Sequence, residues 1–127
     1  MRSINPATEE VFADYPDHSS AEVEQLLQGA ESGFAKWKNF SFEQRGDLLR
    51  RVGELLREQS ADLSSLMSRE MGKTIGGAEA EIEKCGAACE YFANHAARLL
   101  AIEEVPTDAS KSYVRFDPLG PILAIMP

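Results

Sequence analysis

The sequence is short of basic residues, of histidine and of cysteine. Its 127 residues hold 13 Lys and Arg against 21 Asp and Glu, a formal charge of -8 and a pI near 4.7. Nucleic-acid binding rests on Lys and Arg neutralising phosphates, so this balance argues against it, and equally against docking on anionic lipid. No apolar run approaches the roughly 20 residues that span a bilayer. The start, MRSINPATEE, lacks the basic residues and apolar stretch of an export signal. Two cysteines in an acidic chain without such a signal suggest a reducing compartment, and the expected location is the cytoplasm. No G-x-G-x-x-G occurs, and no Ser-His-Asp set can be assembled from two histidines.

What is present reads as an α-rich globular chain, with 43% hydrophobic and 27% charged residues and room for one domain. Asn5-Pro6-Ala7-Thr8 is a turn signal, and the residues up to Pro16 read as a short edge-like strand. Ser19 or Ser20 can cap a first helix whose face is Val23, Leu26, Leu27, Ala30, Phe34 and Trp37. Ser41 with Gln44 forms a capping box for a second helix bearing Leu48, Leu49, Val52, Leu55 and Leu56. Ser60 is expected to recap the chain before Leu63, Leu66 and Met67, and Met71-Gly72-Lys73-Thr74 to break that helix. A long helix is expected from about Gly77 to Leu100, with Gly86 as a weak point or a close helix contact. Ser112 to Phe116 alternates like a one-sided strand. Ile122 to Met126 reads as a strand buried on both faces, as in a parallel sheet. Such a strand needs neighbours, so the pattern resembles the front of a larger α/β protein.

Few motifs carry chemistry. Gly72-Lys73-Thr74 resembles the end of a P-loop, but Met67 stands where the first glycine belongs, so a helix terminus is the better reading. Cys85 and Cys89 share a helix face and are expected to be buried and inert, because structural zinc needs four ligands and neither thiol has an activating partner. Lys84 is expected to point off another face. Glu79, Glu81 and Glu83 diverge around a helix and read as a solvated face.

Pro118-Leu119-Gly120-Pro121-Ile122-Leu123-Ala124-Ile125-Met126-Pro127 resembles the segment entering the cofactor domain of the aldehyde dehydrogenase superfamily. Ile4-Asn5-Pro6-Ala7-Thr8, Ala30-Phe34-Trp37, Arg45 with Leu48-Leu49, and Arg69-Glu70-Met71-Gly72-Lys73 followed by Ala80-Glu81-Ile82 are similar to further family motifs, in family order. The likeness covers essentially the whole chain and is greatest to bacterial succinate-semialdehyde dehydrogenases.

This resemblance implies an α/β parent, of which residues 1–127 are the mostly helical N-terminal portion, with short N-terminal β strands and a last strand entering a parallel cofactor-binding sheet. It implies oxidation of a small aldehyde with NAD or NADP through a Cys thiolate, a Glu-activated water and an Asn oxyanion contact. In relatives, Trp and that Asn follow the position of Pro127. A truncated gene product or a partial sequence is therefore expected, without catalytic residues, inactive and binding no cofactor by itself. Ile125, Met126 and Pro127 match the strand end that touches the cofactor. The long helix resembles one that walls the aldehyde tunnel, with Phe92, His95 and Leu99 as candidates, and Glu70 matches a position that holds a monovalent cation in some relatives. No metal site, nucleic acid or membrane is expected, and the chain is expected to form a homo-oligomer. The rival readings are a helical interaction module without enzyme activity and a remnant without a role.

Overall fold

Ser19 and Ser41 decide where the first two helices begin. Each hydroxyl accepts from the backbone N–H three residues on, and Glu22 or Gln44 there accepts from the cap's own N–H. In the computed structural model, which describes residues 1–125, these helices are α1 (Ser20–Trp37) and α2 (Phe42–Glu58). Two more follow, α3 (Ser60–Met71) and α4 (Ile75–Leu99). An antiparallel hairpin of β1 (Arg2–Ile4) and β2 (Val11–Asp14) precedes them, and a smaller one of β3 (Glu103–Glu104) and β4 (Tyr113–Val114) follows.

Gly72 stops α3 in the left-handed conformation, at φ 68°, and Thr74 caps α4 by accepting from the Gly77 amide at 3.3 Å. The P-loop-like triplet is thus a helix end followed by a helix start. Ser60 does not cap α3. The cap position is Gln59, which makes no side-chain cap bond, so α2 and α3 are divided by a backbone break alone.

The core lies where α2 and α3 pack on α4. Ala78 and Ile82 are its buried apolar residues, with Ser64 buried beside them on α3. The N-terminal hairpin is tied to α3 by the Ser3 hydroxyl, which donates to Glu70 at 2.7 Å, and by the Arg69 guanidinium over the Phe12 ring. α1 packs on no other helix or strand among the described residues. Its apolar stripe is formed as the spacing predicts, yet none of it is buried.

Three further expectations need correction. β3 was not foreseen, because Glu103-Glu104 carries no strand propensity and forms only by pairing with Tyr113-Val114. Residues 122–125 form no strand and are exposed, since no neighbouring strand offers them backbone partners. Cys85 is exposed and Cys89 half-buried, because the helix face they occupy is only partly covered by α2 and α3.

Candidate functional site

The site is built on α4, whose two sides differ in kind. Ala78, Ile82 and Gly86 recur every fourth residue and form its buried side. Glycines allow the backbones to meet there. A Cβ on Gly46 would lie 3.0 Å from the Ala93 carbonyl oxygen, and one on Gly53 would lie 3.1 Å from that of Gly86. Gly86, read as a weak point or a close contact, is the contact.

Arg57 closes this seam from α2. Its guanidinium forks onto Glu83 at 3.0 Å and reaches Glu90 at 2.5 Å, both on α4, lying over the space a Gly86 side chain would fill. The hydrogen bond from Arg57 holds the Glu83 carboxyl below its ordinary range. A carboxylate lowered in the fold stabilises above its unfolded pKa and loses that contribution as pH falls through the lowered value. Glu83→Gln is therefore expected to melt a few degrees below the native chain at neutral pH. The two melting curves should converge well below pH 4.5, the ordinary value for this carboxyl. A gap that persists in acid would assign the effect to packing. Glu81 is held by Lys73, so the Glu79, Glu81 and Glu83 series does not converge, as its spacing predicts.

The opposite side of α4 carries Ala80, Lys84, Ala88, Tyr91, His95 and Leu99, a continuous stripe at about 100° per residue. A shallow open hollow runs along it, its lining residues Ala80, Glu81, Lys84, Cys85 and Ala88 all on α4 itself and all exposed. Lys84 and Cys85, expected on different faces, thus share one hollow. A second recess of about 160 Å³ lies between α2 and the end of α4, lined by Trp37, Phe42, Arg45, Leu49, Phe92 and Leu100 among others. Arg45 stacks on the Phe42 ring there at 4.4 Å.

The predicted site residues fall as follows. Phe92 lines the smaller recess. His95 is half-buried, 4.6 Å from the Tyr91 ring on the outward stripe, which Leu99 ends. Glu70 is engaged by Ser3, and no group of three metal-ligating side chains exists among the described residues. Ile125 is 85% exposed, and Met126 and Pro127 lie outside the described residues. Sequence reasoning missed Arg45 as a recess-lining cation and Lys84 as lining the hollow beside Cys85, and nothing in the sequence pattern marks that pairing.

This arrangement of helices and hairpins recurs in solved structures. The whole chain, residues 1–127, matches the aldehyde dehydrogenase family and belongs to it. It is 41% identical over its full length to a probable NADP(+) succinate-semialdehyde dehydrogenase of Synechocystis sp., of which it covers 28%. It is 37% identical over 98% of its length to the NAD(P)+ succinate semialdehyde dehydrogenase Sad of Escherichia coli, covering 27% of that protein. Among solved structures it superposes on Gox0499 with a TM-score of 0.89 and 28% identity, over 93% of this chain and 26% of that one. It also superposes on the succinic semialdehyde dehydrogenase of Streptococcus pyogenes, solved with NADP+, with a TM-score of 0.82 and 26% identity, over 88% of this chain and 25% of that one. The chain thus spans little more than a quarter of the relatives it matches.

Proposed function

We propose that residues 1–127 are the N-terminal portion of an NAD(P)-dependent aldehyde dehydrogenase that oxidises succinate semialdehyde to its acid, and that this portion is inactive alone. The observation that carries the reading is the full-length match to the Synechocystis relative, which leaves most of that protein's length uncounted for. The chemistry needs a thiolate nucleophile, an oxyanion contact and a base for the hydrolytic water. We take neither Cys85 nor Cys89, both free thiols, as that nucleophile. The roles left to this portion are to wall the aldehyde site with α4 and to bring Ile125, Met126 and Pro127 to the cofactor. NADP is the first cofactor to test, because the Synechocystis relative is named for it and the Streptococcus pyogenes enzyme was solved with it. In the complete enzyme the exposed α1 face and the apolar residues 122–125 are covered, and we assign it a homo-oligomeric state.

The test compares two polypeptides for aldehyde-dependent reduction of NADP and NAD. One is residues 1–127; the other is the complete reading frame. If the frame stops at codon 127, residues 1–127 joined to the rest of the Synechocystis relative take its place. Turnover of succinate semialdehyde by the long polypeptide only is expected. A folded long polypeptide that oxidises no aldehyde would refute the reading.

A further inference from the structure

Arg45 is set apart from the other arginines of α2. Arg50 pairs with Asp47, Arg51 with Glu54 and Glu58, and Arg57 with Glu83 and Glu90. Arg45 is half-buried and, among the described residues, forms no ion pair. Its guanidinium lies over the Phe42 ring, 4.4 Å from the centroid, and its Nε is shielded from solvent with no acceptor for its hydrogen. A shielded donor of this kind costs free energy until an acceptor reaches it. Two recesses meet at this group. The one described above opens toward Trp37 and Phe92; the other, of about 220 Å³, opens toward Lys38, Phe116 and Asp117, and the two share Phe42 and Leu100.

The surroundings specify what the acceptor carries. Asp117, which lines the second recess, is already held by Arg115 at 2.8 and 3.0 Å. Lys38 and Arg45 therefore leave the recess locally positive in a chain of net charge -8, which suits a carboxylate. The rim is aromatic, with Trp37, Phe92 and Phe116 at 40%, 51% and 49% exposure, and a cation ringed by aromatics is the composition of an interface centre. The chain runs along that rim at Phe116 to Pro118, and Leu119 just after it is 97% exposed. Polypeptide continuing from this segment is thus tethered close to the recess, and the chain covers only 28% of its Synechocystis relative. We propose that Arg45 pins the helical layer to the part of the complete polypeptide that follows residue 127, by donating to a carboxylate side chain of that part seated between Phe42 and Phe116. The inference rests on the reading given under Proposed function.

The experiment follows thermal melting of Arg45→Met by circular dichroism in two polypeptides, residues 1–127 and the complete polypeptide defined above. Methionine keeps an apolar stem over Phe42 and removes the donor. In the complete polypeptide the substitution strands a buried carboxylate, and the melting temperature is expected to fall by about 2–6 °C. In residues 1–127 it removes a donor that has no acceptor, and melting is expected to stay level or rise. Arg45→Gln, which keeps an N–H donor without the charge, should behave as Arg45→Met does. Should Arg45→Met not fold in the complete polypeptide, Arg45→Lys takes its place, with a smaller fall because the charge remains. Equal losses in both polypeptides would assign Arg45 to packing, or to Asp117, within the helical layer, and would overturn the pin. No loss in either would overturn it as well, and a complete polypeptide in which Arg45→Gln melts with the native would overturn the carboxylate in favour of a neutral acceptor. None of these readouts uses turnover, so the pin can fail while the complete polypeptide still oxidises succinate semialdehyde and the proposed function stands.

Discussion

Gly53→Val is expected to force α2 and α4 apart and to lower the melting temperature of the chain by about 5–15 °C, the equivalent of about 1–3 kcal/mol of overpacking. The cause is local and rigid. A Cβ at position 53 would lie 3.1 Å from the Gly86 carbonyl oxygen and 3.4 Å from the Cys89 Cβ. Backbone cannot rotate out of the way as a side chain can, and the branched carbons of valine extend the clash. Relief needs a shift of one helix, which also strains the Arg57 fork onto Glu83 and Glu90. Gly33→Ala on α1 is the control. Nothing lies within 4 Å of its Cβ position, so the substitution is expected to stabilise the helix by about 0.5–1 kcal/mol. Thermal melts followed by circular dichroism separate the two. Equal melting of Gly53→Val and the native chain would mean that α2 and α4 do not meet at these glycines.

Residues 1–127 on their own are expected to self-associate, with a mass in light scattering above the 14.0 kDa of one chain. The chain exposes 10202 Å², whereas a folded monomer of its mass exposes about 6,700 Å² by the usual scaling. The excess is larger than the roughly 1,600 Å² of a standard protein–protein interface. Much of it is apolar. On α1, Leu26 and Leu27 are 59% and 60% exposed, and Leu119, Ile122 and Leu123 are nearly bare. Replacing Leu26 and Leu27 by Lys is expected to shift the distribution toward monomer without loss of helix, because among the described residues α1 makes no backbone-level packing with another helix or strand. A native chain that stays monomeric at every concentration would contradict this.

The local structure of the chain was largely legible, because helix starts are written in short-range chemistry. Ser41 with Gln44 gives a capping box, Ser19 or Ser20 gives a cap that proves to be Ser19 boxed with Glu22, Gly72 ends α3, and the 3.6-residue period gives the apolar faces. What periodicity cannot say is which face finds a partner. The α1 stripe is as regular as that of α2, yet only α2 is buried against α4, since the choice depends on Gly46, Gly53 and Gly86 fitting together in space. Ile122 to Ile125 has the composition of a buried strand, but a strand exists only with neighbours. β3 failed in the opposite direction, because two glutamates become a strand only through Tyr113 and Val114. The candidate site was legible in its helix and less so in its residues. Phe92, His95 and Leu99 come from the family resemblance and not from their spacing, and nothing in the sequence pattern sets Lys84 beside Cys85 in one hollow.

The most direct test of the account is NADP reduction with succinate semialdehyde, measured side by side for residues 1–127 and for the complete polypeptide. The account predicts turnover by the complete polypeptide and none by the 127-residue chain. Turnover by that chain alone, surviving rigorous removal of host dehydrogenases, would contradict it.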